Sequence, residues 1–183
     1  MRVPLSWLRE LGVIPADAGP DEVSAACVKA GLEVENISHI GVVTGDLVLG
    51  KVLAFVAEPQ KNGKIIRWCR IDVGGHGLNS VPSAPGQDER SRGIVCGAAN
   101  FAAGDLVVVA LPTIDGAGFT IAVRKTYGHL SDGMICSERE LGIGDDHNGI
   151  MVIDPAEAAT AGVGVGDDVR PLLGIPDVVV ELA

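Results

Sequence analysis

Aromatic residues are scarce in this sequence. Two Trp, one Tyr and three Phe make up 3% of the 183 residues, whereas 47% of the residues are hydrophobic. The core must therefore be built from Val, Ile, Leu and Ala. Binding of flat ligands by aromatic stacking is poorly supported, because we expect only Trp68 to be well placed for it. A core position would equally explain Trp68.

Long hydrophobic runs and paired cysteines are also absent. No apolar run approaches the roughly 18–20 residues that span a bilayer, and residues 1–7 lack the apolar segment of a secretory signal. The four cysteines lie far apart, among apolar residues and without a nearby His. They are Cys27, Cys69, Cys96 and Cys136. We therefore expect a soluble, cytoplasmic protein without a membrane partner, in which reduced thiols pack as small hydrophobic groups.

Patterns that would indicate catalysis or metal binding are missing as well. The four His residues are isolated and lack the spacing of a metal pair. Residues 144–149 lack the alternating oxygen ligands and the bidentate Glu of a calcium loop, which favours a polar turn. Ser131 has no evident general base, and no glycine-rich phosphate loop precedes a helix. We predict no active site, metal site or cofactor in this chain, so a free-standing enzyme for a small metabolite is the least supported class.

The net charge of −10 argues against a general nucleic-acid binder and against DNA as a partner, but the charges are unevenly distributed. Residues 1–38 hold three basic and six acidic side chains, and residues 154–183 hold one and six. Residues 51–125 hold nine basic and six acidic side chains. One interpretation is a single cationic face in the middle of the chain. The alternative is a solvated surface of mixed charge.

The middle of the chain has the pattern of a small β-barrel. The 25 Gly and 10 Pro indicate many turns. Six or seven short strands follow one another with almost no helix between them. Their approximate ranges are 46–56, 64–73, 92–98, 105–111, 119–127, 134–136 and 150–153. The pattern favours a five-stranded antiparallel oligonucleotide/oligosaccharide-binding (OB) barrel with extra strands, with a turn-rich loop at residues 75–92.

The two ends of the chain favour a second, composite domain. Residues 1–38 contain signals for two short helices and one strand, which bury too little surface alone. Residues from 154 onward have a loop-like composition, followed by a turn of helix near Leu172 and a strand at 178–182. We therefore predict a small composite α+β domain made of residues 1–38 and 154–183, with the barrel of residues 39–153 inserted between them.

Residues 131–142 combine a short apolar strand with small polar side chains. Residues 134–136 are apolar, and Ser137 and Glu140 have the spacing of a capping box, in which each side chain bonds the other residue's backbone N–H. Gly142 is the type of residue that follows a helix end. One interpretation is a core strand that leads into a capped turn. The other is a surface that holds an extended polar ligand.

Several blocks of sequence resemble a known family. Residues 94–100 (Ile-Val-Cys-Gly-Ala-Ala-Asn), 104–107 and 131–138 resemble the tRNA-binding barrel shared by several synthetase-associated proteins. The flanking blocks resemble the N-terminal region of the bacterial phenylalanyl-tRNA synthetase β subunit. They are residues 3–8, 30–35 and 177–182. The resemblance covers essentially the whole chain and implies a barrel inserted into an α+β domain.

The resemblance also implies a larger context. The family's full β subunit carries further domains, so this chain would be a non-catalytic part of a longer protein. The whole enzyme would join phenylalanine to its tRNA with ATP and Mg²⁺, as an α2β2 assembly with the α subunit. Three features depart from the family pattern: residues 58–63 replace a His-Pro-Asn-Ala-Asp-like stretch, Ala99 replaces a common Pro, and the loop at 75–92 is longer.

Two criteria, positive charge and the resemblance to this family, select the candidate RNA-binding residues. Five basic residues would neutralise phosphates: Lys61, Lys64, Arg67, Arg124 and Lys125. Ser131 and Ser137 would donate to phosphate or ribose, Met134 would lie against a sugar or base, and Asn100 lies in a matching motif. We expect weak, salt-sensitive binding directed at the RNA backbone. The alternative is a purely structural module that packs against the rest of the synthetase.

Overall fold

The computed structural model of the chain describes residues 1–76, 91–112, 115–116, 119–146 and 148–183. Most of the loop expected at residues 75–92 lies outside these ranges, and so does His147 in the polar segment 144–149. The side chains of Asp115, Gly116 and Phe119 are also outside the description.

Within the described ranges the chain forms short strands and helices, with one turn of 3₁₀ helix at Gly74–His76. The strands are β1 (Arg2–Pro4), β2 (Val34–Ile40), β3 (Leu47–Pro59), β4 (Ile65–Asp72), β5 (Ser91–Cys96), β6 (Leu106–Ala110), β7 (Asp115–Gly116), β8 (Phe119–Thr120), β9 (Arg124–Thr126), β10 (His129–Ser131), β11 (Met134–Ile135), β12 (Val152–Ile153) and β13 (Asp177–Leu182). The helices are α1 (Leu5–Glu10), α2 (Pro20–Lys29), α3 (Glu138–Leu141), α4 (Pro155–Ala161) and α5 (Arg170–Leu173).

Both ends of the chain contribute to one compact unit, which consists of Met1–Val42 and Gly174–Ala183. Its antiparallel sheet has the order β1-β13-β2, so the last strand lies between the first two. Leu5, Val23 and Val180 are buried together in its core. The Asp177 carboxylate accepts hydrogen bonds from the Ser6 backbone N–H at 3.2 Å and from the Ser6 hydroxyl at 2.5 Å. These bonds tie the start of α1 to the start of β13.

The second unit runs from Val43 to Leu173 and therefore includes residues 154–173, which we had expected in the composite domain. Backbone hydrogen bonds explain the difference. The Leu49 N–H donates to the Asp167 carbonyl at 3.0 Å, and the Val169 N–H donates to the Leu47 carbonyl at 3.1 Å. The segment thus continues the hydrogen bonding of β3, so that the first unit resumes at Gly174 and not at 154.

The expectation of a loop from residue 154 was wrong. Asp154 caps α4, since its carboxylate accepts from the Ala156 N–H at 2.7 Å. Pro155 occupies the first helical position and Gly162 ends the helix with a φ of 68°. A cap, an N-terminal Pro and a C-terminal Gly are the usual boundary signals of a helix. The Ala-rich composition of the segment favours a helix as well.

The second unit is built on one antiparallel sheet with the order β11-β6-β3-β4-β5, in which β12 also pairs with β6. In the middle of the sheet, Val107, Val108, Val109 and Ala110 have no exposed surface, as predicted for a strand covered on both faces. The fold class is thereby confirmed as mainly antiparallel β with α+β character. The sheet also agrees with the OB-like barrel that the strand pattern favoured.

Strand β3 allows this sheet to curl. Its first part pairs with β6 from Leu47 to Lys51, and its second part pairs with β4 from Lys51 to Pro59. The register shifts between Val52 and Ala54, and such an irregularity bends a strand and increases its twist. As a result β11 and β5, at opposite ends of the strand order, lie close together.

Three of the four cysteines are buried, as predicted for thiols that pack as small hydrophobic groups. They are Cys69, Cys96 and Cys136. Burial raises the pKa of Cys69 and of Cys136 from 9.0 to about 12, because the interior disfavours the charged thiolate. Cys27 is half-buried.

The raised thiol pKa values predict a loss of stability in alkali. Above pH 9 the unfolded chain releases thiol protons that the folded chain retains up to about pH 12, so the free energy of unfolding falls as the pH rises. The contribution of Cys136 to this slope is about 1.4 kcal/mol for each pH unit in that window. Urea unfolding at pH 8 and pH 10.5 measures it.

Two variants make this measurement specific. Cys136→Ala should have a shallower pH slope than the parent chain, whereas Cys27→Ala, which removes a half-buried thiol, is the matched control. An unchanged slope in Cys136→Ala would contradict the prediction.

Candidate nucleic-acid interface

Two adjoining concavities of the second unit form one open groove beside β5. The larger, about 660 Å³, is lined by Arg124, Met134, Ser137, Arg139 and Asn148, among other residues. The smaller, about 540 Å³, is lined by Lys64, Ile65, Ile66, Thr126 and Tyr127. Val95, Gly97 and Arg124 line both. We call the joined concavities the β5 groove. Lining residues from four separate segments of the chain, near 64, 95, 124 and 134, therefore share one concave surface.

A third concavity, lined by Glu138 and Asp146 among other residues, adjoins the larger one at residues 148–150, but in the β5 groove itself basic residues outnumber acidic ones. Lys64, Arg124 and Arg139 are exposed there. The acidic residue in the lining is Glu140, whose carboxylate accepts from the Ser137 N–H at 2.7 Å and from the Ser137 hydroxyl at 2.8 Å. An anionic ligand in the groove therefore meets three exposed cations and one carboxylate that is already bonded. Lys61 and Lys125 are exposed but do not line it.

The two predicted serine donors are buried and bonded within the protein. Ser131 is 5% exposed; its hydroxyl oxygen accepts from the Val95 N–H at 3.1 Å, and the hydroxyl donates to the Gly133 carbonyl at 3.3 Å. Ser137 is 7% exposed and forms the predicted capping box with Glu140. The interpretation of residues 134–142 as a core strand and a capped turn is thereby confirmed. Neither hydroxyl can donate to a ligand without giving up the bond that it donates within the protein.

Asn100 and Arg67 are likewise engaged inside the second unit. The Asn100 side-chain amide donates to the Ile150 carbonyl at 2.8 Å, and its oxygen accepts from the Ile150 N–H at 3.0 Å. The Arg67 guanidinium lies 5.5 Å from the Phe55 ring and 5.7 Å from the Phe101 ring, and it donates to a backbone carbonyl at 2.6 Å. Both side chains hold neighbouring loops in place.

Trp68 is a packing residue and not an open stacking surface. Its ring is stacked on His129, with 4.5 Å between the ring centroids and 14° between the planes. Its benzenoid edge lies against Gly93, where an added Cβ would meet the ring at 2.2 Å. His129 also contacts Glu58 through Nε2 at 2.9 Å. Together these contacts attach β10 to strands β3 and β4.

The turn between β10 and β11 is tied to β5. Asp132 and Arg92 form an ion pair at 2.8 Å, with side-chain exposures of only 2% and 6%. The Asp132 N–H also donates to the Gly93 carbonyl at 2.8 Å. We had counted Arg92 among the basic residues of the middle segment. Its charge is instead neutralised internally, which reduces the positive charge that the segment can offer to a ligand.

Three residues of the groove escaped the sequence-based prediction: Tyr127, Arg139 and Asn148. We had assigned Tyr127 to the end of a strand at 119–127, but β9 ends at Thr126 and Tyr127 begins the turn. The Tyr-Gly pair at residues 127–128 was the local signal for a hairpin. Arg139 lies in the short helix that the capping box predicts, but nothing local indicates that it lines the groove.

Other kinds of site find no support in the part of the chain that the structure describes. No group of three or more His, Cys, Asp or Glu side chains in those ranges is placed to hold a metal ion. None of the helices described there has the length and apolar character needed to cross a membrane.

The segment of sequence that contains the groove residues matches a known family. Residues 47–163 match the family described as "Putative tRNA binding domain". This match covers more than half of the chain and contains the whole β5 groove. The chain therefore belongs to this family of tRNA-binding domains.

Three curated relatives extend the similarity to the whole chain. Each is a phenylalanine–tRNA ligase β subunit. The protein of Leifsonia xyli subsp. xyli is 49% identical over 190 residues, that of Cutibacterium acnes 43% over 190 residues, and that of Mycolicibacterium paratuberculosis 46% over 188 residues. The alignments cover all of this chain and 20–22% of the relatives, so the chain spans about a fifth of their length. The resemblance drawn from residues 94–100 and 131–138 is confirmed.

The internal role of Ser131 predicts a cost in stability. Ser131→Ala leaves the Val95 N–H without its side-chain partner in a partly buried position, which should lower the free energy of unfolding by about 0.5–1.5 kcal/mol. Thr160→Ala is the matched control, because it removes a hydroxyl from the exposed face of α4. Urea unfolding compares the two variants. Equal stability of both would contradict the assigned role of Ser131.

Proposed function

We propose that this chain binds tRNA through the β5 groove, as a non-catalytic part of a phenylalanine–tRNA ligase β subunit. The observation that carries the proposal is the convergence of Lys64, Arg124 and Arg139 on one open groove in a chain with a net charge of −10. Membership in the tRNA-binding family and the names of the relatives support it.

The groove would act mainly by neutralising phosphates. Each phosphate paired with a Lys or Arg releases condensed counterions, so affinity falls as salt concentration rises. Three such contacts to a single-stranded segment correspond to a loss of about 20-fold in affinity between 50 and 200 mM salt. Lys61 and Lys125 would increase this loss when they reach further phosphates. Met134, half-buried in the groove, would lie against a sugar or base.

The remaining candidates would contribute indirectly. The bonds described above would let four residues keep the walls of the groove in position without contacting RNA directly. They are Asn100, Arg67, Ser131 and Ser137. Overall repulsion between an acidic chain and RNA would restrict binding to the face where the cations gather. The affinity for RNA would therefore be low, and the RNA would approach from the side of the groove.

The activity of the whole protein is part of the same proposal. The complete enzyme would act in the cytoplasm and join phenylalanine to its specific tRNA with ATP and Mg²⁺. Residues outside this chain would carry out that reaction. The remainder of the β subunit and the α subunit would be its protein partners, in an α2β2 assembly.

A structural module is the second candidate function. The first unit exposes several large apolar side chains that a longer protein would cover. Trp7, Leu11, Val13 and Val28 are each at least 60% exposed. In this account the chain packs against the rest of the synthetase and its contact with RNA is negligible.

The dependence of affinity on salt distinguishes the two functions. The triple variant Lys64→Gln, Arg124→Gln and Arg139→Gln should lose most of the salt dependence, about two units in the slope of log affinity against log salt. The triple variant Arg2→Gln, Lys29→Gln and Lys51→Gln, which removes the same charge at exposed positions outside the groove, is the charge-matched control and should retain the slope. Fluorescence anisotropy with a tRNA transcript at 50 and 200 mM salt measures both variants. Undetectable binding at 50 mM salt would favour the structural module, whereas salt-dependent binding with an unchanged slope in the triple variant of the groove would show that RNA binds outside the groove.

A further inference from the structure

Tyr127 occupies an unusual position at the tip of a hairpin. It is followed by Gly128, and these two residues connect Thr126 of β9 with its partner His129 of β10. Their φ angles are 49° and 86°, the pattern of a type I′ turn. Asn, Asp or Gly normally fill the first position, because a bulky side chain there is strained. Among the described residues, Tyr127 is the one non-glycine residue with positive φ.

The Tyr127 ring is available to a ligand in the β5 groove. The residue is 45% exposed and lines the groove together with Lys64 and Arg124. Phe55 and Phe101 pack against each other and Trp68 against His129. Of the aromatic side chains that the structure describes, Tyr127 alone lines the groove. An exposed ring between cations is the combination by which proteins bind single-stranded nucleic acid, with bases stacked on the ring and phosphates on the cations.

The hairpin holds the ring in a defined place. His129, next to the turn, is stacked on Trp68 and bonded to Glu58. At the end of β10, Ser131 accepts from the Val95 N–H. The ring is therefore presented by an anchored hairpin, which lowers the ordering cost of binding.

We propose that Tyr127 stacks on an unpaired base of the bound RNA while Lys64 and Arg124 bind the neighbouring phosphates. This inference rests on the proposed function and specifies its ligand. The groove takes an unpaired segment of tRNA and not a helical stem, because the bases of a duplex are stacked on one another and offer no free face to a ring. The strained backbone of Tyr127 is then the consequence of placing an aromatic residue where the turn prefers Asn or Gly.

Two substitutions distinguish the effect of the aromatic ring on RNA binding from the effect of the turn conformation on stability. Tyr127→Asn removes the ring and introduces a residue that type I′ turns favour, so the fold should be at least as stable as in the parent chain. Tyr127→Phe keeps the ring and is the matched control. Affinities of the full chain are measured at several salt concentrations for a single-stranded oligoribonucleotide and for a blunt-ended RNA duplex, and urea unfolding measures stability.

Tyr127→Asn should lose about tenfold or more in affinity for the single strand, with an unchanged salt slope because stacking releases no counterions. Tyr127→Phe should bind within about twofold of the parent chain, and the weaker binding of the duplex should be the same in all three proteins. Single-strand affinity of Tyr127→Asn within twofold of the parent would overturn the inference, and so would an equal loss for the duplex.

Failure of the inference is distinguishable from failure of the proposed function. Salt-dependent RNA binding that is indifferent to Tyr127→Asn overturns the stacking role alone and leaves the phosphate contacts in place. The absence of RNA binding by the unaltered chain at 50 mM salt overturns both. If Tyr127 instead packs against a protein segment and the chain has no RNA site, the unaltered chain will not bind RNA at 50 mM salt. That result counts against both proposals.

Discussion

The attachment of the turn at residues 131–133 to β5 determines the geometry of the candidate site. Three bonds make it: the buried ion pair of Asp132 with Arg92, the Asp132 N–H to the Gly93 carbonyl, and the Val95 N–H to the Ser131 hydroxyl. Removing one partner of a buried ion pair typically costs about 3–5 kcal/mol, because it leaves the other charge buried without compensation, so neither Arg92 nor Asp132 can be lost alone without destabilising the turn. It brings β10 and β11 beside β5 and thereby sets two walls of the groove. One carries Tyr127 and Arg124, and the other carries residues 134–139.

This constraint divides the polar residues into two groups with different roles. Side chains with fixed hydrogen bonds, such as Ser131, Ser137 and Asn100, define the shape of the groove. Side chains that are exposed along its rim, such as Lys64 and Arg124, are left to meet a ligand. The division explains how a chain with a net charge of −10 can still present a cationic face. The groove is lined by three exposed cations and by one carboxylate, that of Glu140, which is bonded to Ser137.

Local sequence patterns predicted the parts of the fold that depend on near neighbours. The capping box of Ser137, the buried run of β6 and the antiparallel strands all follow from spacing and burial. The roles of Arg67 and Ser131 could not be predicted in this way, because their partners lie 31 and 36 residues away along the chain. Tyr127 was assigned to a strand because alternation continues up to the turn. The resemblance to the family suggested candidate residues, but it did not indicate which of them face outward.

Mapping of the contact surface tests the central claim most directly. Backbone amide signals of the chain, followed by nuclear magnetic resonance during titration with a tRNA transcript at 50 mM salt, locate the RNA without any substitution. The account predicts that the largest shifts cluster at residues that line the β5 groove, namely 64–66, 95–98, 124, 126–127, 134–135, 137 and 139. Largest shifts in residues 1–42 and 174–183, with the groove unaffected, would contradict it.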